Sequence, residues 1–178
     1  MILGYDPGLA AAGAVVYDPD KGKFIAAYPL KTKLRVGPEK AYASDTFVRR
    51  CRELARMFND ICNDHSITAV CSEAASWPRH AIGVRSCAAG IAVSVAVAEC
   101  HVRLPVYTMQ PQAIKKALCG KVSASKGDIQ EYLEQRYPEL TDLIKGDKKV
   151  RSDQWDAAAA VVASLEIPEL RVLLAPGR

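Results

Sequence analysis

Ile2-Leu3-Gly4-Tyr5-Asp6-Pro7-Gly8 opens the chain, and Gly13-Ala14-Val15-Val16-Tyr17 follows it closely. The first run is apolar and is stopped by Asp-Pro-Gly, the pattern of a buried strand that ends in a turn. The second run reads as another strand. Asp18-Pro19-Asp20-Lys21-Gly22 is a strong turn signal, and a third strand follows from Phe24 to Leu30. Strands this closely spaced predict an antiparallel meander.

Outward from the meander, residues 31–43 read as a basic loop. Ser44 or Asp45 caps a helix to about Asn63, with Phe47, Cys51, Leu54, Met57, Phe58 and Ile61 at helical intervals. Ile67 to Cys71 read as a fourth strand, closed by Ser72-Glu73, and a loop with Trp77, Pro78 and Arg79 follows. The stretch from Ala81 to Cys100 is helical and apolar nearly all round, which calls for burial on every face. One side is expected on the sheet and the other against a second subunit. Pro105 to Thr108 form a fifth strand. Pro111 starts a short helix that ends at Gly120. Ser125 and Asp128 form a capping box for a helix to about Tyr137. Residues 138–151 read as a polar loop, and Ser152 caps a final helix to about Leu165 before a short tail. The order βββαβαβααα predicts an α/β fold: a five-stranded mixed sheet flanked by helices, in one domain spanning 1–178.

Composition excludes several classes. With 178 residues, 49% hydrophobic and 25% charged, the chain has the make-up of an ordinary globule rather than a disordered or fibrous protein. The nearest approach to a bilayer-spanning run, Ser86 to Cys100, is short and closed by Glu99. The strand-like opening lacks the basic region of a secretory signal, so a cytoplasmic location is expected. The six cysteines show no Cys-x-x-Cys spacing and read as small, reduced core residues. His65, His80 and His101 share no ligand spacing, which argues against zinc. The net charge of +4 is modest, but its distribution is uneven. Lys115, Lys116, Lys121 and Lys126 form one acid-free cluster; Lys145, Lys148, Lys149 and Arg151 form another; Lys31, Lys33, Arg35, Arg49, Arg50 and Arg52 form a third. Any one cluster suits a solvated face; three in a small domain favour a polyanionic partner.

Four acids sit at structural boundaries. Asp6 closes the first strand, Glu73 closes the fourth, and Asp153 and Asp156 share one face of the last helix. Taken singly, Asp6 suits a turn, and Asp153 and Asp156 suit a helix N-terminus. Taken together, they are a hard, oxygen-only donor set suited to Mg²⁺ or Mn²⁺. Four carboxylates in one place repel one another unless cations join them.

These motifs resemble the RuvC-type Holliday-junction resolvases. The likeness runs through the opening Asp-Pro-Gly segment and Glu73. It continues through Ala88-Ala89-Gly90-Ile91-Ala92, Pro105-Val106-Tyr107, Ile114-Lys115-Lys116-Ala117, Ala124-Ser125-Lys126-Gly127-Asp128 and Asp153-Gln154-Trp155-Asp156. The resemblance implies a ribonuclease H-like fold, a homodimer, and two-metal cleavage of DNA at a four-way junction. It implies Asp6, Glu73, Asp153 and Asp156 as catalytic metal ligands, with Mg²⁺ or Mn²⁺, two ions per site. Lys115, Lys116 and Lys126 are the implied DNA-binding lysines. With the four acids set aside, the remaining chain carries +8.

The chain departs from the family in three places. The aromatic residue expected soon after the second acid is here Trp77, which lies later, in a basic loop with Arg79 and Arg85. Trp77 reads equally as a junction wedge stacking on a base or as a plug beneath its loop. Residues 31–43 are longer and more basic than the usual connection, and Trp155 replaces a small residue. A divergent, phage-like member acting on wider branched DNA fits these differences. Rival readings are an actin-like ATPase or sugar kinase, a ribonuclease H on RNA–DNA hybrids, and a non-catalytic branched-DNA-binding module. A branch-migration partner is left open.

Overall fold

The computed structural model describes residues 1–33, 43–74 and 81–175. Five strands form one sheet in the order β3-β2-β1-β4-β5. They are β1 (Ile2–Asp6), β2 (Ala11–Asp18), β3 (Lys23–Lys31), β4 (Ala69–Glu73) and β5 (Val106–Met109). β1, β2 and β3 form the expected antiparallel meander, and β1–β4 and β4–β5 pair in parallel. The Asp18 turn is closed by its own side chain, whose Oδ1 accepts from the Asp20 and Lys21 amides at 3.1 and 3.2 Å.

Alternation along β1 sorts the core into two halves. Leu3 and Tyr5 point to the face covered by α1 (Ala43–Asp64) and α2 (Ala81–Val95). There Leu54, Phe58, Ile61 and Cys62 of α1 are buried, and Phe58 meets the Tyr5 ring edge-on at 5.2 Å. Ile2 and Gly4 face the other layer. It comprises α3 (Pro111–Cys119), α4 (Lys126–Arg136), α5 (Glu139–Leu143), α6 (Lys148–Ser164) and α7 (Pro168–Leu174). A Cβ on Gly4 would fall 2.5 Å from the Ala157 carbonyl oxygen. α6, with alanine at 157–160, therefore lies on the sheet at a distance that only glycine permits.

The structure corrects five expectations. The stretch 138–151 is no simple loop: it contains α5, and α6 begins at Lys148 with Asp147 as its cap, whose Oδ1 accepts from the Val150 amide at 3.1 Å. The closing tail contains α7. Five helices thus follow β5 in place of three. Of the six cysteines, only Cys62 and Cys71 are buried, although all six are free thiols. The apolar helix after Ala81 is not buried on every face. Gly90, Ser94 and Ala98 are buried, while Ala92 and Ala96 are exposed. It passes into a π-helical turn over Ala96–His101. Gly83–His101 is long and apolar enough to cross a membrane by length and composition, with mean hydropathy 1.4, so the shorter sequence estimate understated it.

Candidate active site

Asp6 pairs across the antiparallel ladder with Gly13, and Tyr5 pairs in parallel with Ser72. One step further along, Asp6 and Glu73 end adjacent parallel strands and face the same layer. Parallel strand ends are where an open α/β sheet forms ligand crevices.

α6 brings the second pair of acids. A Cβ on Gly13 would lie 2.2 Å from both the carbonyl carbon and oxygen of Asp153. The α6 backbone therefore crosses β2 directly at the residue paired with Asp6. Asp156, three residues on, lies on the same helix face. Neither acid is in the first turn, so the helix-terminus reading of Asp153 and Asp156 does not hold. The approach to α6 is fixed by Gln154, a fully buried side chain whose Nε2 donates to the carbonyls of Lys145 and Val150 at 2.7 and 3.0 Å.

All four acids line one cleft of about 440 Å³, together with Lys115 and Lys126. At roughly 30 Å³ per water, it has room for several hydrated groups and a phosphodiester. The Lys126 ammonium bridges to the Asp156 carboxylate and donates to Ser152 Oγ at 3.2 Å. Lys126 is placed by the expected capping box: Ser125 Oγ accepts from the Asp128 amide at 3.1 Å, and Asp128 Oδ2 accepts from the Ser125 amide at 2.8 Å. Lys115 projects from α3, whose buried side holds Ile114 and Leu118.

Burial pushes the Asp6 carboxyl well above the ordinary carboxylate range, and Asp156, Asp153 and Glu73 push it further. Burial also raises Glu73, with Asp156 adding to the shift and Lys126 and Lys115 opposing it. Asp153 is raised by burial first. For Lys126, the cost of burial is outweighed by its bridge to Asp156, and the ammonium is held up. The site is a set of acids in want of positive charge.

Among the described residues, no three His, Cys, Asp or Glu side chains converge closely enough as they stand to cage an ion. Asp156 is engaged by Lys126, and the carboxylates repel each other. The donor set nevertheless fits a hard divalent cation. Asp153 Oδ2 is buried without a hydrogen-bond partner among the described residues, and Asp156 nearby opposes its charge while Lys149 and Lys126 only partly offset it. An orphaned anionic oxygen in such a place suits a cation.

The other expected residues are dispersed. Lys116 is exposed and does not line the cleft. Arg85, on α2, lies over the Phe47 ring with its guanidinium carbon 5.8 Å from the centroid. Trp77 and Arg79 lie outside the described residues, as does the basic stretch 34–42. Sequence reasoning missed Gly13 and Gln154, which place α6. Gly13 carried a signal, since a glycine inside a strand marks a close backbone approach.

A five-stranded mixed sheet with an acidic cleft at its parallel strand ends, crossed by a helix carrying two more acids, defines a ribonuclease H-like fold. No family model matches the chain. It is 24% identical over 165 residues to the crossover junction endodeoxyribonuclease RuvC of Natranaerobius thermophilus, covering 93% of this chain and 92% of that one. Its fold matches the Thermus thermophilus RuvC structure in complex with a Holliday junction substrate, with TM-score 0.73, 20% identity, and coverage of 96% and 95% of the two chains. It also matches the yeast mitochondrial Holliday junction resolvase at TM-score 0.56 and 10% identity, covering 91% of this chain and 78% of that one. The resemblance carried by the motifs is borne out: the chain is similar to RuvC over nearly its whole length in sequence and shares its fold.

Proposed function

We propose that this chain is an endonuclease that resolves four-way DNA junctions, using Asp6, Glu73, Asp153 and Asp156 to hold divalent cations. The observation that carries this reading is the gathering of four acids from β1, β4 and α6 in one cleft with Lys115 and Lys126. The likeness to a curated RuvC over nearly the full length supports it.

Two Mg²⁺ or Mn²⁺ ions held there would neutralise the scissile phosphate, make the attacking water acidic and stabilise the leaving oxygen. Asp6, Glu73, Asp153 and Asp156 are the residues that would hold the ions. Asp153 offers an oxygen that nothing else uses. Asp6, Glu73 and Asp153 must shed any proton they carry to act as ligands. Lys115 and Lys126 hold the sugar-phosphate backbone over the acids.

Paired cuts across a junction need two such sites related by a twofold axis. The outer face of α2 and the π-helical turn after it, apolar with Ala92 and Ala96 exposed, is the surface a second copy covers. In this reading the protein is a homodimer acting on DNA in the cytoplasm, and DNA recombination and repair are its setting.

A strand-cleavage panel tests the reading: a mobile four-way junction, a Y-fork, linear duplex and an RNA–DNA hybrid, each with Mg²⁺ or Mn²⁺. Cleavage confined to the junction is expected. Cuts in forks as well would widen the substrate to branched DNA in general. Cleavage of the hybrid alone would move the protein to the ribonuclease H class, and tight junction binding without cleavage would make it a binding module.

A further inference from the structure

A second groove, of about 520 Å³, runs beside the catalytic cleft between α4 and α6. Lys126, Ile129 and Asp156 line both, so the two cavities are neighbours that share these residues. The outer wall of the second groove carries Lys148 and Arg151, both exposed and without a carboxylate partner among the described residues. Its floor is formed by Ile129 and the buried Trp155, and Gln130 and Ser152 add neutral polar groups. The groove thus offers two cations without a carboxylate partner among the described residues and an apolar base, beside a site that takes a phosphodiester. That chemistry fits a nucleic-acid backbone with a sugar or base face against the floor, and it fits neither a cation nor an acidic peptide's many carboxylates on an apolar floor.

We propose that the α4/α6 groove is a subsite for the DNA strand flanking the scissile phosphate, with Lys148 and Arg151 each gripping a phosphate. The proposal rests on the nuclease reading above, deepens it by fixing the path of the cut strand, and gives a role to the basic residues in the first turn of α6. The neighbouring Lys149 does not line the groove and serves as an internal control.

The test uses the full-length Asp6→Asn protein, inert by design, with a four-way junction in Mg²⁺. Junction affinity is measured across a salt series for this protein and for the same protein carrying Lys148→Ala with Arg151→Ala, or Lys149→Ala. Loss of two phosphate contacts lowers the slope of log K against log salt by about 1.5–2. The slope is expected to fall by that amount in the double variant and by less than half as much with Lys149→Ala. Neutral methylphosphonates placed singly along the cut strand should weaken binding beside the scissile position, and that penalty should vanish in the double variant. An unchanged slope, or an equal methylphosphonate penalty with and without Lys148 and Arg151, overturns the subsite. Wild-type cleavage of the same junction, run in parallel, separates that result from failure of the nuclease reading itself.

Discussion

A side-chain carbon on Gly13 would sit 2.2 Å from the backbone of Asp153, and Gly13 is also the ladder partner of Asp6. One glycine therefore sets the distance between the first acid and the third. Gly13→Ala forces α6 outward against backbone, which cannot rotate away. Overpacking of this kind costs about 1–3 kcal/mol. The variant should melt several degrees lower, roughly 2–4 °C per kcal/mol for a chain of this size. It should also lose cleavage more completely than Gly4→Ala, whose clash falls on Ala157 and Val161, further along α6. Equal cleavage by the two variants would show that Gly13 does not control the site.

Asp6 is buried among three other acids, so its charge opposes the metal-free fold. Asp6→Asn is expected to abolish cleavage, to leave junction binding intact, and to raise the melting temperature in chelator by about 3 °C, the equivalent of about 1 kcal/mol. Scanning calorimetry at pH 8 together with a gel cleavage assay reads both effects. Retained cleavage would remove Asp6 from the site.

Asp6, Glu73 and Asp153 are all raised from their ordinary values, Asp6 well above its own. Between about pH 4, where free carboxylates titrate, and their raised values, the folded chain binds more protons than the unfolded one. Stability then falls as pH rises through that window. Metal-free protein should melt progressively lower from about pH 5 towards about pH 8, and Asp6→Asn should flatten that trend. Mn²⁺ binding, which needs the deprotonated carboxylates, should tighten over the same range and release protons, as calorimetry in buffers of different ionisation heat reports. Affinity independent of pH would contradict the assignment of these three groups as ligands.

The capping box at the start of α4 holds Lys126 against Asp156. Ser125→Ala removes one half of it and should cost about 1 kcal/mol of stability. Because Lys126 is the next residue, junction cleavage at subsaturating DNA should fall severalfold as well. A stability loss with unchanged cleavage would separate the cap from the positioning of Lys126.

Much of this architecture is legible in the sequence because its signals are local. Asp6-Pro7-Gly8 stops a strand, Asp18-Pro19-Asp20 closes a hairpin, and Ser125 with Asp128 caps a helix; each acts within a few residues. The parallel placement of Asp6 beside Glu73 follows from strand ends and an α/β order. What the sequence conceals is non-local. Asp147 caps α6 one turn ahead of Ser152, so a polar stretch with Gly146 conceals a helix start and places Asp153 and Asp156 beyond the first turn. Lys126 meets Asp156 across 30 positions. The alanine-rich α2 reads as fully buried because small apolar residues look the same in sequence whether they face the sheet or lie exposed.

The central claim is best tested on a supercoiled plasmid that extrudes a cruciform, incubated with the wild-type protein in Mg²⁺, with chelator and Asp6→Asn as controls. Two acidic clefts acting together across a junction predict linear product appearing without accumulation of nicked circles, with symmetric nicks at the junction and none in either control. Nicked circles alone would contradict the paired sites, and cutting that persists in chelator or in Asp6→Asn would contradict the four-carboxylate metal centre.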